Sequence, residues 1–135
     1  MLYRTAAESF ATGLISKFGD AIHAIVLFGS VARKQARIDS DIDVLVVGIS
    51  REVQDCVIDF AYDTMEAARF DVFISVVYFS RDKFFELANG GNPLISTLVE
   101  QGRVLYDDGT FARLHGTAVA ASRRGAERRK VSVAG

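Results

Sequence analysis

The 135-residue sequence predicts an α/β (α+β) fold: a mixed sheet of three to four strands flanked by helices. Three observations lead there. Short apolar runs rich in Ile and Val alternate with segments of helical period, which is the pattern of strands and helices in turn. Half of the residues are hydrophobic, enough for one core at this length. Too few strand-like runs are present for a full doubly wound dinucleotide-binding sheet.

Each element has its own warrant. Thr5-Ala-Ala-Glu8 reads as a capping box, and Ala6, Phe10, Leu14 and Phe18 recur every four residues before Gly19, so the first element is an amphipathic helix. Ala21 to Phe28 is a β-branched apolar run ending in Gly29-Ser30, and the polar segment Arg33 to Arg37 has helical propensity, giving strand, turn and helix. Ile42 to Val47 is the second strand, entered through Asp39-Ser40-Asp41 and closed by Gly48. Ser50 is the expected N-cap of a helix whose apolar face is Val53, Val57, Phe60, Ala61, Met65 and Ala68.

The third strand is expected over Phe70 to Phe79. Ser80 then caps a short helix ending at Asn89-Gly90-Gly91, and Asn92-Pro93 starts another that runs to Gln101, with Pro where a missing N–H costs nothing. Gly102 stops it, and Val104 to Tyr106 is an edge strand. The chain divides into a domain over residues 1–121 and a basic tail over 122–135.

Composition excludes several classes. The single Cys56 rules out a disulfide framework, and no apolar run approaches the roughly 20 residues that span a bilayer. The N-terminus lacks a cationic stretch followed by an apolar run, so no secretory signal is expected and the cytoplasm is the expected location. A net charge of -1 is no polycation for coating nucleic acid, but it is unevenly spread: residues 122–135 carry +4 and residues 1–121 carry -5.

The chemistry concentrates between Gly29 and Asp43. Asp41 and Asp43 stand two apart at the head of a strand, so both carboxylates fall on one face with Ile42 on the other. Such a pair repels itself unless a cation sits between, and hard oxygen donors suit Mg²⁺ or Mn²⁺, with phosphates and water completing the shell. Gly29-Ser30 at a strand-to-helix turn lets backbone N–H groups and a hydroxyl meet a phosphate. Asp71, expected to open the third strand, is costly to place in an apolar strand without a cation or donor, and converges with the pair if that strand lies beside the second.

Competing motifs fail. An EF-hand loop begun at Asp39 would need Gly where Val44 stands and Glu where Ser50 stands, and neither a Walker loop nor a Gly-x-Gly-x-x-Gly turn occurs. His23 within the first strand reads as a structural histidine, and Cys56 has no neighbouring Cys or His with which to bind metal.

Gly29-Ser30, ten residues from Val31 to Ser40, and Asp41-Ile42-Asp43 together resemble the signature of the DNA polymerase β-like nucleotidyltransferase superfamily, with a spacing similar to that of its minimal nucleotidyltransferase branch. Gly-Ser-Val-Ala-Arg33 and Ser40-Asp-Ile-Asp-Val-Leu-Val match the branch's wording, and Asn92-Pro-Leu through Glu100-Gln-Gly-Arg-Val-Leu-Tyr106 resembles its closing helix and strand. The resemblance spans Leu14 to Tyr106.

It implies a small nucleotidyltransferase fold in which Gly29 and Ser30 hold the triphosphate, Asp41 and Asp43 bind metal, and Asp71 is the third carboxylate, bridging metal or acting as base toward the acceptor hydroxyl. Arg33 is a candidate phosphate contact, weighed against a solvated surface role. The implied reaction transfers a nucleoside monophosphate, AMP from ATP, to a hydroxyl with Mg²⁺ or Mn²⁺. The implied acceptor is a tyrosine of a partner HEPN-domain toxin, which makes the protein an antitoxin, in a homo- or hetero-oligomer. Two rivals stand beside this reading: a non-catalytic module that occludes its partner, and a transferase acting on RNA ends or on a small hydroxylated molecule.

Overall fold

In the computed structural model, residues 2–29 and 41–113 are described. Helix α1 (Leu2–Phe18) leads through a 3₁₀ turn (Gly19–Ala21) into β1 (Ile22–Phe28), and β2 is Ile42–Gly48. Helix α2 (Val53–Ala67) connects to β3 (Ile74–Ser80), which is followed by α3 (Arg81–Asn89), α4 (Pro93–Gln101) and β4 (Arg103–Asp107).

The four strands form one mixed sheet in the order β3-β2-β1-β4. β1 pairs antiparallel with β2 and with β4, whereas β2 and β3 are parallel, as a strand-helix-strand crossover through α2 requires. The central strands are apolar on both sides because both faces are covered. One face carries Ile25, Leu27, Val44 and Val46 under α1 and α2, with Phe10, Leu14, Val57 and Ala61 packed on it. The other carries Ala24, Val26, Leu45 and Val47 under α3 and α4, which contribute Phe84, Ala88, Ile95 and Leu98.

Several local expectations hold at the level of single bonds. The Ser80 hydroxyl accepts from the Lys83 N–H at 3.3 Å and starts α3. The Asn92 side chain accepts from the Leu94 N–H at 2.9 Å, with Pro93 at the first position of α4. Gly102 ends that helix by turning extended, and β4 is an edge strand as expected.

Three expectations are corrected. α1 begins at Leu2, ahead of the Thr5 capping box. α2 begins at Val53 with Glu52 at its cap and no side-chain bond there, the Ser50 carbonyl instead accepting from the Val53 N–H at 3.3 Å. β3 begins at Ile74 and not at Phe70, because Arg69 and Phe70 both adopt left-handed backbone (φ 53° and 59°) that an extended strand cannot contain. The helix expected after Ser30 and the basic tail lie outside the described residues.

Candidate active site

β1 and β2 run antiparallel with Phe28 opposite Asp43, so the end of β1 and the start of β2 meet at one edge of the sheet. Alternation along β2 puts Asp43 on the side of Leu45 and Val47, under α3 and α4, and Asp41 is the next residue in that alternation toward the strand's start. Asp41 is exposed and Asp43 half-buried.

Gly29 follows directly. Its backbone is left-handed, φ 74°, and a Cβ built on it would fall on the Asp43 carboxylate. Both facts demand glycine, one by conformation and one by space. The turn expected to cradle phosphate and the acid pair expected to hold a cation are therefore neighbours, although they lie fourteen residues apart in sequence.

β3 completes the edge from the far side. Ile42 pairs with Ile74, Asp43 pairs with Ser75, and the Ile42 N–H donates to the Phe73 carbonyl at 2.8 Å. The side chain beside Asp43 on the neighbouring strand is thus the exposed hydroxyl of Ser75. Asp71 sits ahead of the strand in the turn, its N–H donating to the Ala68 carbonyl at 3.1 Å and its side chain exposed. Among the described residues no group of three His, Cys, Asp or Glu side chains is gathered in a manner that holds a metal ion, and Asp71 stands in the turn ahead of β3 instead of opening the strand. Sequence reasoning missed Ser75; its signal was the polar residue at period two within Phe73-Ile-Ser-Val-Val77.

The pair itself fits a hard divalent cation. Its donors are carboxylate oxygens without nitrogen or sulfur, and two such ligands leave most positions of an octahedral ion for water and substrate phosphate. Ser30 and Arg33 fall among residues 30–40, outside the described residues.

The other chemistry-bearing residues are structural. His23 Nδ1 lies 2.7 Å from the Asp108 carboxylate, which satisfies the histidine expected to be structural. Burial would raise the Asp108 carboxyl, but hydrogen bonds from Thr110 and His23 outweigh it and hold it below the usual carboxylate range. Tyr78 donates its hydroxyl to the Ser50 carbonyl at 2.5 Å, and burial pushes its pKa up to about 12. Cys56 is a free, exposed thiol. A groove of about 610 Å³ between α1 and β4 and one of about 380 Å³ beside Arg51, Tyr78 and Lys83 both lie away from Asp41 and Asp43.

A mixed sheet with a glycine turn at the end of β1 and an Asp-x-Asp pair at the head of β2 defines a nucleotidyltransferase fold. Residues 14–110 match the family model "Polymerase beta, Nucleotidyltransferase", and the chain belongs to that family. It is 34% identical over 103 residues to "Putative protein adenylyltransferase MJ0604" of Methanocaldococcus jannaschii, covering 75% of this chain and 95% of that protein.

Solved structures share the fold. A toxin-antitoxin with AMP-PNP matches with a TM-score of 0.63 at 18% identity, over 93% of this chain and 94% of that one. A tri-AMPylated Shewanella oneidensis HEPN toxin in complex with MNT antitoxin matches with a TM-score of 0.55 at 20% identity, over 94% and 93%. The MntA-HepT toxin-antitoxin matches at 0.57 and 16% identity, over 96% and 95%. Among the described residues no helix is long and apolar enough to cross a membrane.

Proposed function

We propose that this protein is a minimal nucleotidyltransferase antitoxin that transfers AMP from ATP to a tyrosine hydroxyl of a partner HEPN-domain toxin in the cytoplasm. The observation that supports the reading is the seating of the Gly29 backbone against the Asp43 carboxylate, which brings the turn proposed to bind phosphate beside the pair proposed to bind a cation. The relationship to a protein adenylyltransferase, at 34% identity over most of both chains, supports AMP as the group moved and protein as the acceptor.

Asp41 and Asp43 would hold Mg²⁺ or Mn²⁺; when bound, such an ion neutralises phosphate charge and lowers the pKa of an oxygen it touches. Gly29 and Ser30 bind the triphosphate through backbone N–H groups and a hydroxyl, and Arg33 contacts a phosphate oxygen. The acceptor oxygen attacks the α-phosphorus of ATP, the bond to the β-phosphate oxygen breaks, and pyrophosphate leaves. Asp71, at the same end of the sheet but off the pair, takes the part of base toward the acceptor hydroxyl and receives its proton.

The experiment is incubation with Mg²⁺, ATP labelled at the α-phosphate and a HEPN-domain protein from the same genome, wild type against Asp41→Asn/Asp43→Asn. Label on the HEPN protein with wild type alone supports the reading. A stable complex with no label from any of the four NTPs replaces it with occlusion.

A further inference from the structure

Soluble proteins scatter exposed apolar side chains singly, and contiguous patches mark interaction sites. Tyr62 on α2, Phe70 in the turn and Phe73 at the approach to β3 are 53%, 39% and 53% exposed. Their rings touch in sequence, Tyr62 to Phe70 at 5.7 Å and Phe70 to Phe73 at 6.4 Å between centroids. Phe70 reaches this position only because it and Arg69 hold left-handed backbone, a conformation in which a bulky residue is an outlier.

The patch adjoins the acid pair and an open strand edge. The Phe73 carbonyl receives the Ile42 N–H, so Phe73 occupies the rung beside Asp41. β3 is the outer strand there. On the other flank, the exposed side of α2 presents Asp59, Asp63 and Glu66 around Tyr62. Asp55, Asp59 and Asp63 are spaced four apart, and α2 contains no Lys or Arg, so the helix bears like-charge repulsion with no balancing cation of its own.

We propose that the Tyr62–Phe70–Phe73 patch with its acidic flank is the surface on which the acceptor protein docks, through an apolar segment carrying Lys or Arg, so that its acceptor hydroxyl is delivered to Asp41 and Asp43. The occupant is argued from charge complementarity and from continuity with the acid pair: an apolar centre with a one-sign rim selects a partner of opposite charge, and a substrate loop must reach these acids from a neighbouring surface. The inference rests on the adenylyl-transfer reading for the word acceptor, but not for the surface.

The test measures affinity for a HEPN-domain protein from the same genome by titration calorimetry, and label transfer from ATP separately, with the full chain. Tyr62→Ser/Phe73→Ser is expected to weaken binding at least tenfold and to raise the acceptor KM with little change in kcat. Asp59→Lys/Asp63→Lys is expected to do the same, and added salt to weaken wild-type binding. Phe70→Gly serves as the folding control, because it relieves the left-handed backbone while removing the ring: its melting temperature should hold or rise while its affinity falls.

Wild-type affinity in all three variants overturns the proposal, as does no binding by the wild-type chain. So does self-association that Phe73 alone controls, since that assigns the patch to a second copy of this chain. Binding that depends on the patch without any transfer of label retains the docking surface and overturns only the adenylyl-transfer reading.

Discussion

Gly29 and Asp43 are locked together: the backbone of one leaves no room for a Cβ against the carboxylate of the other. Gly29→Ala therefore combines a left-handed φ of 74° with a methyl group where the carboxylate lies. The conformational part costs about 1–2 kcal/mol, which a domain of this size survives. The functional part is larger, because Asp43 must move from the cation position. Transfer activity is expected to fall by at least about 10²-fold while the protein remains folded by circular dichroism. Activity within about twofold of wild type would show that the contact does not set the carboxylate.

Asp71 and Ser75 separate two ways of supplying a third polar group. Asp71 precedes the strand, so Asp71→Asn is expected to lower kcat by about 10²-fold, as loss of a general base does, with the Mg²⁺ concentration for half-maximal activity unchanged. Ser75 lies beside Asp43 in the register. Ser75→Asp adds a like charge next to the pair, so the metal-free protein should lose about 0.2–1 kcal/mol and the Mg²⁺ requirement should fall. A shift in Mg²⁺ requirement on Asp71→Asn instead would make Asp71 a metal ligand.

Much of this was legible beforehand, for identifiable reasons. The strand runs at β1 and β2 and the caps at Ser80 and Asn92 are local signals, and each is made by atoms within a few residues. The antiparallel meeting of Phe28 with Asp43 was not legible, since the sequence predicts a helix between the two runs and a connection of that length serves parallel strands as well. Nor was the position of Asp71 legible. It depends on Arg69 and Phe70 being left-handed, where sequence preference favours Gly or Asn, and on a parallel register that no short-range pattern encodes. Ser75 was missed for that second reason, since only the pairing of β2 with β3 makes it a neighbour of Asp43.

Gly48 and the side chain of Tyr78 meet at the opposite end of the sheet. A Cβ at Gly48 would fall on the Tyr78 hydroxyl, which bonds the Ser50 carbonyl. Gly48→Ala is expected to displace the ring and destabilise the fold by about 1–3 kcal/mol, whereas Tyr78→Phe loses one hydrogen bond, about 1 kcal/mol, and relieves the double variant. The phenol also gives a pH signature. Its pKa is raised from 10 to about 12 in the folded state, so the folded protein keeps that proton longer and stability is lost as pH rises from 10 toward 12. Denaturant midpoints for wild type and Tyr78→Phe should converge across that window; parallel curves would remove Tyr78 from the account.

His23 and Asp108 tie β1 to the end of β4, with Asp108 also accepting from the Thr110 N–H at 3.0 Å and from its hydroxyl. The Asp108 carboxyl lies below its ordinary value of 3.8, so its contribution is full above that pH and is lost as pH falls through the lowered folded value. Asp108→Asn keeps an acceptor for the Thr110 N–H but loses the charge facing His23, and is expected to cost about 1 kcal/mol at pH 7. The difference from wild type should vanish in acid, once the native carboxyl is protonated. Thermal melts of both proteins from pH 7 down to pH 2 check this, and a difference that persists undiminished at the acid end would mean that packing, not charge, holds the β1–β4 junction.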